Sequence, residues 1–571
     1  MIEELYDVRR ISDLRDMLAQ SCKRFGENSA FLVKENSCYR GISYRAFGTE
    51  VSALGTVLIS MGLKDGYVAV LSENRYEWCA TYLSVANGVG VIVPIDKELP
   101  SEEIENLIRR CGAAAIIFSS KYRSLMKKIA GSIPEMRYLI DMELNQDEDG
   151  VLSYSCLIEK GRRLLARGDT RFIKSKIDPT ELSVLIYTSG TTDLAKGVML
   201  SHRNICTVLT AVCSTVHLDS DDIALSILPL HHTYECALGF LAIIYNGGTI
   251  AFCEGLRHIP ANLKEVGPTY MVSVPLILDN IYKKINSHIN ESKILKIKFK
   301  TILVISRFLY KVFKVDIRKK VFKSVHDIFG GHIRLIITGA AAVKPEVSRF
   351  FRNMGISVLQ GYGLTECAPL VTGNRDHAFV DGAVGLPIPG VSVRILEPDS
   401  RGIGEILVKG ENVMLGYHKN EEATNKVLRD GWLYTGDLGC IDRNGFLYIA
   451  GRLKNVIITS NGKNIFPEEV ETYLNRSPFV KESLVWGKYD GITGNILVCA
   501  QLLPNLDAIA EKLKGISASG QEIMKFMNEA VKNANMNMPI YKHIHQFVVR
   551  ENEFVKTTTQ KIKRYIETPL T

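Results

Sequence analysis

Residues 183–197 read Ser-Val-Leu-Ile-Tyr-Thr-Ser-Gly-Thr-Thr-Asp-Leu-Ala-Lys-Gly, a run of β-forming residues that opens directly into small hydroxylated and glycine positions. A strand followed by such a loop can wrap backbone N–H groups and the hydroxyls of Thr188, Ser189, Thr191 and Thr192, around Gly190, onto phosphate oxygens, with Lys196 to balance the charge. It is not a Walker A loop, because Ala195 precedes Lys196 and Gly197 follows it where Gly-Lys-Ser/Thr would be needed. Nor does a helix start there to aim its dipole at an anion. From this stretch alone two readings stay open: a phosphate loop, or a surface loop between a buried strand and the next element.

At 571 residues the chain exceeds one ordinary core, so at least two domains are expected. The acidic, polar opening from Met1 to Leu5 lacks the basic start of a signal peptide, and no stretch of about 18 uninterrupted apolar residues predicts a membrane span. The nearest one, 237–253, is broken by Tyr245-Asn246-Gly247-Gly248-Thr249 and reads as buried structure around a turn. Twelve cysteines with no C-x-x-C pair argue for free thiols in a reducing cytoplasm rather than zinc or disulfides. A cytoplasmic protein with no nucleic-acid partner is the expectation. The net charge of +8 is uneven: 281–323 holds 13 Lys/Arg against Glu291 and Asp316, a local +11, which leaves the remainder at −3.

Ile11, Leu14, Met17 and Leu18 recur at helical spacing, and 1–60 reads as helical. From Tyr67 the pattern becomes βαβ: a strand at 68–71, a helix at 75–86, strands at 91–93 and 113–118. That alternation predicts a parallel α/β core, to which 183–187 and the return from Val198 belong. The strand 333–338 ends in Gly339, Ala340 and Ala341, tiny residues that let a planar ligand lie close to the backbone. A third strand-to-loop unit is Val358-Leu359-Gln360-Gly361-Tyr362-Gly363-Leu364-Thr365-Glu366, after which glycines and prolines accumulate as in a turn-rich β subdomain. Gly451-Arg452-Leu453-Lys454 lies between two strand-like runs and places the domain boundary, giving a large α/β domain at 1–452 and a small mobile α+β lid at 453–571.

In order along the chain stand Tyr-Thr-Ser-Gly-Thr-Thr, Leu228-Pro229-Leu230-His231-His232, Gly-Tyr-Gly-Leu-Thr-Glu, Tyr434-Thr435-Gly436-Asp437, Gly-Arg-Leu-Lys and a late lysine. This series resembles the adenylate-forming (AMP-forming) acyl-CoA synthetase superfamily over nearly the whole chain. It is most similar to the bacterial long-chain fatty acid–CoA ligases, which share Asp430-Gly431-Trp432-Leu433 before Tyr434 and Ser460-Asn461-Gly462-Lys463-Asn464-Ile465 before Pro467-Glu468-Glu469.

The resemblance implies a two-step ligase using ATP, Mg²⁺ and coenzyme A, in which a carboxylate forms acyl-AMP and the thiol then displaces AMP. On it, Glu366 would hold Mg²⁺ together with Thr188, and Tyr362 would stack on adenine. Thr188 to Thr192 with Lys196 would take the β- and γ-phosphates, and Thr365 the α-phosphate. Asp437 would accept from the ribose hydroxyls with Arg452 nearby, and Lys454 would be the hinge. His232 would sit beside the acyl carboxylate, and Lys561 would be the adenylation lysine, with Lys563 the neighbouring register. By residue type alone, a surface salt bridge is the commoner reading of Asp437 and Arg452, a core tyrosine fits Tyr362, and a core or helix-terminal histidine fits His231.

Three positions depart from the family pattern: Asp193-Leu194-Ala195-Lys196-Gly197 stands where Gly-x-Pro-Lys-Gly is usual, and Gln560 stands where glycine often precedes the lysine. An inward Asp193 would oppose a polyphosphate. The expected acyl pocket (His232, Tyr234, Gly239, Val274, Gly339 to Ala341, Cys367) is mostly apolar, which points to a medium- or long-chain fatty acid, with an aryl acid as the alternative. An acyl carrier protein is the alternative thiol acceptor. Lys293 to Lys323 interleaves cations with large apolar residues, so 281–323 can lie on the anionic inner face of a membrane, or form a helical hairpin packed on the core with solvated lysines.

Overall fold

A computed structural model describes residues 5–36, 38–188, 195–290, 292–458, 464–490, 495–513, 518–557 and 562–569. By compactness these divide into two units: 5–188, 195–392 and 408–433 in the first, 393–407 and 434–569 in the second. The second unit therefore takes in residues before the break at 452/453 as well as those after it.

The first unit is built on two sheets. In one of eight strands, Gly90–Pro94, Gly66–Leu71, Ala115–Phe118, Tyr138–Asp141 and Val151–Ser153 run parallel beside Leu182–Thr188. The phosphate-loop strand Leu182–Thr188 turns back as Lys196–Ser201, pairing antiparallel from Leu182↔Ser201 to Thr188↔Lys196. The residues before and after the loop thus form a hairpin stem, and the next helix does not begin until His202. The other sheet has nine strands, parallel across Ser357–Gly363, Leu335–Thr338, Tyr270–Ser273, Ile223–Ser226, Thr249–Phe252 and Ser29–Glu35. Helices close both sheets. His202–Thr215 starts with a capping box in which Ser201 and Asn204 satisfy each other's backbone N–H, so the chain leaves the strand Lys196–Ser201 in a fixed direction. Among the described residues one apolar cluster forms around Leu71, Ile116 and Leu185 and another around Met271, Ile336 and Phe351.

One expectation is corrected. Residues 1–60 are not helical throughout: Leu14–Phe25 and Tyr44–Ser60 are helices, but Ser29–Glu35 and Cys38–Ser43 form an antiparallel hairpin between them. The strand Ser29–Glu35 joins the nine-stranded sheet beside Thr249–Phe252, and that long-range pairing decides its conformation. The buried turn expected within 237–253 is present, with Gly247 left-handed after the helix Ala242–Asn246.

The β-rich region appears as a five-stranded sheet drawn from strands between 391 and 452. In the second unit, Val480–Asp490, Asn495–Pro504 and Ile544–Val549 form a three-stranded sheet packed with the helices Pro467–Leu474 and Gly520–Met536. No disulfide joins cysteines among the described residues, and no described helix is long and apolar enough to cross a membrane.

Candidate active site

The hairpin stem brings the phosphate-loop residues to one another. The Thr188 hydroxyl donates to the Lys196 carbonyl at 3.4 Å. The Lys196 ammonium lies 4.9 Å from the centre of the Tyr417 ring, and the Tyr417 hydroxyl donates to Glu366 Oε1 at 2.8 Å. Tyr417 is on the short strand Gly416–Tyr417 that pairs with Lys196–Ser201, and Met414 N donates to the Glu366 carbonyl at 2.8 Å, so both partners of Tyr417 are fixed by backbone. Burial first, and then the Glu366 charge, push the Tyr417 phenol up, so it stays a donor. Glu366 Oε2 accepts no hydrogen bond among the described residues, and with the Thr188 hydroxyl it offers the hard oxygen donors that suit Mg²⁺. Arg110 adds a second cation, donating to the Ala195 carbonyl at 2.8 Å and lying 5.4 Å from the Tyr187 ring centre. Ser189, Gly190, Thr191, Thr192 and Asp193 lie outside the described residues.

The Gly-Tyr-Gly stretch forms the end of Ser357–Gly363, paired antiparallel with Leu370–Gly373 through Gly361↔Gly373 and Tyr362↔Thr372. Gly363 is obligatory for packing, because a Cβ there would sit 1.8 Å from the Pro369 carbonyl oxygen. Thr365 and Glu366 then turn away in a single short helical turn, Thr365–Cys367.

A second cluster, at the carboxyl ends of neighbouring strands, is more enclosed. His231 is buried and His232 half-buried, with ring centres 4.2 Å apart, and His231 Nε2 is 3.5 Å from Asp96 Oδ2. Burial raises the Asp96 carboxyl, but His231, the Glu98 backbone N–H and His232 together outweigh it and bring it down to about 2. The Tyr234 hydroxyl reaches both the Ser273 and Ile337 carbonyls at 3.2 Å, pinning two adjacent strands, and its ring fills the space a side chain at Gly339 would need. Ala340, the next residue, has φ +69, a left-handed turn off the strand. Gly239 does not open onto this space: a Cβ there would meet Glu235 Oε1 at 2.4 Å. Glu235 accepts from the Ser226 hydroxyl at 2.7 Å, its Oε2 is buried without a partner, and burial pushes its carboxyl up to about 8.

In the second unit, Asp437 and Arg452 face each other across antiparallel strands and pair at 2.9 Å, with Asp437 buried and Arg452 exposed. The Thr435 hydroxyl accepts from Asp437 N at 3.1 Å and donates to the Ile406 carbonyl at 2.8 Å, which sets the carboxylate's backbone. Lys454 lies in the turn Leu453–Asn455 that follows directly. Gly462 and Lys561 lie outside the described residues. The chain on either side of Lys561 is anchored: Lys556 pairs with Glu482 at 2.8 Å, Lys563 N donates to the Val555 carbonyl at 2.8 Å, and Arg564 pairs with both oxygens of Glu471 at 2.5 Å.

Asp96, Arg110, Glu235 and Tyr417 were missed by sequence reasoning. Only Glu235 lay inside a motif, three residues after His232; the others reach the site by tertiary folding from stretches with no local signal.

A family model described as AMP-binding enzyme matches residues 18–418, and one described as AMP-binding enzyme C-terminal domain matches 454–566. Long-chain-fatty-acid–CoA ligase 5 of Mus musculus is 32% identical over 536 residues, covering 88% of this chain and 76% of its own length. A long-chain-fatty-acid–CoA ligase of Mycobacterium bovis is 27% identical over 542 residues, covering 90% of this chain and 88% of its own. Among solved structures, an anthranilate CoA ligase in complex with anthranoyl-AMP superposes with a TM-score of 0.76 at 20% identity, covering 99% of this chain and 97% of that one, which shows the shared fold. With a family model matched across most of its length and a second on its carboxyl-terminal part, the chain belongs to the AMP-binding enzyme family.

Proposed function

We propose that the chain joins a medium- or long-chain fatty acid to ATP, giving acyl-AMP and pyrophosphate, and then passes the acyl group to the thiol of coenzyme A. The observation that carries this reading is the Lys196–Tyr417–Glu366 linkage at the stem of the phosphate loop, which sets a cation and a metal-binding carboxylate side by side. In the first step a carboxylate oxygen attacks the α-phosphorus and the α–β bridging bond breaks. Two anions must meet, so charge neutralisation is the main task. Lys196, Thr188 and the loop to Thr192 hold the β- and γ-phosphates, Arg110 supports the loop's return, and Thr365 takes the α-phosphate. Glu366 and Thr188 would hold Mg²⁺, which would supply further neutralisation there. Tyr362, flanked by Gly361 and Gly363, offers its ring to adenine, and Gly339 and Ala340 let the nucleotide approach the backbone. Asp437, oriented by Arg452, accepts from the ribose hydroxyls. His232 meets the acyl carboxylate, and Lys561 bridges it to AMP. In the second step the residues after the hinge Lys454 rotate as a lid, and the thiol sulfur attacks the acyl carbonyl carbon as AMP leaves.

An acyl carrier protein as acceptor is the second reading, favoured by the +11 segment 281–323, which would complement an acidic carrier helix. Contact of the same segment with the anionic inner face of a membrane belongs with the fatty-acid reading, because such acids partition into bilayers. Pyrophosphate release with palmitate tests the adenylation. Loss of it in Lys561→Ala but not in Lys563→Ala supports the lysine assignment, and equal loss in both refutes it. Adding coenzyme A or carrier protein and assaying the thioester separates the acceptors: acylation of carrier protein alone overturns the coenzyme A reading.

A further inference from the structure

The geometry points to the helix Lys293–Phe313 as an in-plane membrane helix that seats this enzyme on anionic lipid through an apolar stripe facing away from the core. The helix has two apolar faces. Phe299, Ile302 and Leu303 pack onto the cluster around Phe351, and Ser306 between them is fully buried. On the other side Ile294, Ile297, Val304, Ile305, Phe308 and Val312 are all exposed, from 50% for Ile305 to 76% for Ile294. With Thr301 these positions advance by three and four, so at about 100° per residue they form one stripe roughly opposite the packed face. A helix anchored to a core needs one apolar face, and a second one in water is unfavourable unless something covers it.

The charge around the stripe says what covers it. Lys293, Lys300, Arg307 and Lys311 line one flank, Lys298 lies on the other, all are exposed, and the helix carries no acidic residue. A second copy docking stripe to stripe would bring these cations together, whereas anionic headgroups on both flanks pair with them while the stripe enters the acyl boundary. At 21 residues, with lysines this frequent, the helix lies on a bilayer and does not cross it. The helix Pro275–Asn290 leads from the strand Tyr270–Ser273, which Tyr234 pins at the candidate acyl pocket, to this stripe. This deepens the membrane contact named with the fatty-acid reading and rests on that reading for its purpose, but the surface stands on exposure and charge alone.

The test is co-sedimentation of the full chain with vesicles of phosphatidylcholine, with and without phosphatidylglycerol, at moderate salt. The chain should pellet with the mixed vesicles and remain in solution with phosphatidylcholine alone. Ile305→Glu with Phe308→Glu should lower the bound fraction about tenfold or more, and Lys300→Glu with Lys311→Glu several-fold with a flatter salt dependence. All substituted side chains are exposed, so circular dichroism and pyrophosphate release with a short soluble acid should match the parent and show that the variants fold. No pelleting, or equal pelleting of the Ile305→Glu/Phe308→Glu variant, overturns the inference. So does a dimer in light scattering that the same variant splits while vesicle binding is absent. Pelleting without any pyrophosphate release would refute the ligase reading and leave this surface standing.

Discussion

The two clusters of the first unit are built by different means. Around His231, Tyr234 and Glu235 the groups are buried and mostly held by fixed backbone carbonyls and hydroxyls. Around Thr188, Lys196 and Glu366 they are half-buried and held by a tyrosine at the mouth of a loop. The first arrangement is finished before a substrate arrives, and an ionisable group inside it costs stability. The second gathers the cations Lys196 and Arg110 at the stem of the proposed phosphate loop, so on that proposal its electrostatics serve a ligand and not the fold. Changes at the phosphate end should therefore alter turnover and leave stability alone, and changes at the acyl end should touch both.

The largest effect is expected at Glu366. Glu366→Gln keeps an acceptor for Tyr417 and removes the charge, and should lower kcat for pyrophosphate release by about 10²- to 10³-fold with an unchanged thermal midpoint. A loss under tenfold, or one that tracks a falling midpoint, would erase the contrast between the two ends.

Glu235 probes the other side of the contrast. Its carboxyl is pushed up to about 8 in the fold from an ordinary 4.5. Below about pH 4.5 folded and unfolded chains both hold the proton. Above that the unfolded chain releases it first, so stability falls as pH rises and levels off past about 8. Between the two plateaus the difference should be on the order of 5 kcal/mol. In urea unfolding, Glu235→Gln should gain stability relative to the parent on going from about pH 5 to about pH 8. A pH-independent offset would mean that Glu235 is not a buried neutral acid.

Much of the phosphate end was legible because its chemistry is written locally: hydroxyls, glycines and a lysine must follow one another to wrap a phosphate, and Glu366 lies four residues after Tyr362 in a motif of its own. The Asp437–Arg452 pair was legible as types and positions, though not as partners, since cross-strand pairing sets that. Asp96, Arg110 and Tyr417 were not legible. Each stands at the end of an element whose local pattern is ordinary; strand pairing brings Tyr417 beside Lys196, and Asp96 and His231 meet although the strands they follow, Gly90–Pro94 and Ile223–Ser226, belong to different sheets. The hairpin at 29–43 was lost for the same reason, its strand being chosen by Thr249–Phe252.

Asp96→Asn tests whether such a recruited residue positions His231 and His232 or merely fills space. The variant removes the charge that the histidines face and keeps the volume. Loss of orientation should lower kcat/KM for the fatty acid about tenfold, roughly 1.4 kcal/mol, mainly through KM and with a shifted pH profile. His232→Ala should cost as much, and the double variant little more. Additive losses would separate Asp96 from His232.

The smallest effect belongs to Asp193, which lies outside the described residues. The Arg110 guanidinium holds the Ala195 carbonyl two residues on, and the hairpin stem fixes Lys196. What remains is charge. An inward carboxylate near a polyphosphate would oppose binding by about 0.5–1 kcal/mol through solvent. Asp193→Gly should then lower the apparent KM for ATP two- to fivefold and leave the KM for the fatty acid unchanged. An unchanged KM for ATP would turn Asp193 toward water. A change in the fatty-acid KM instead would mean that the two ends are coupled through the hairpin, against the separation drawn above.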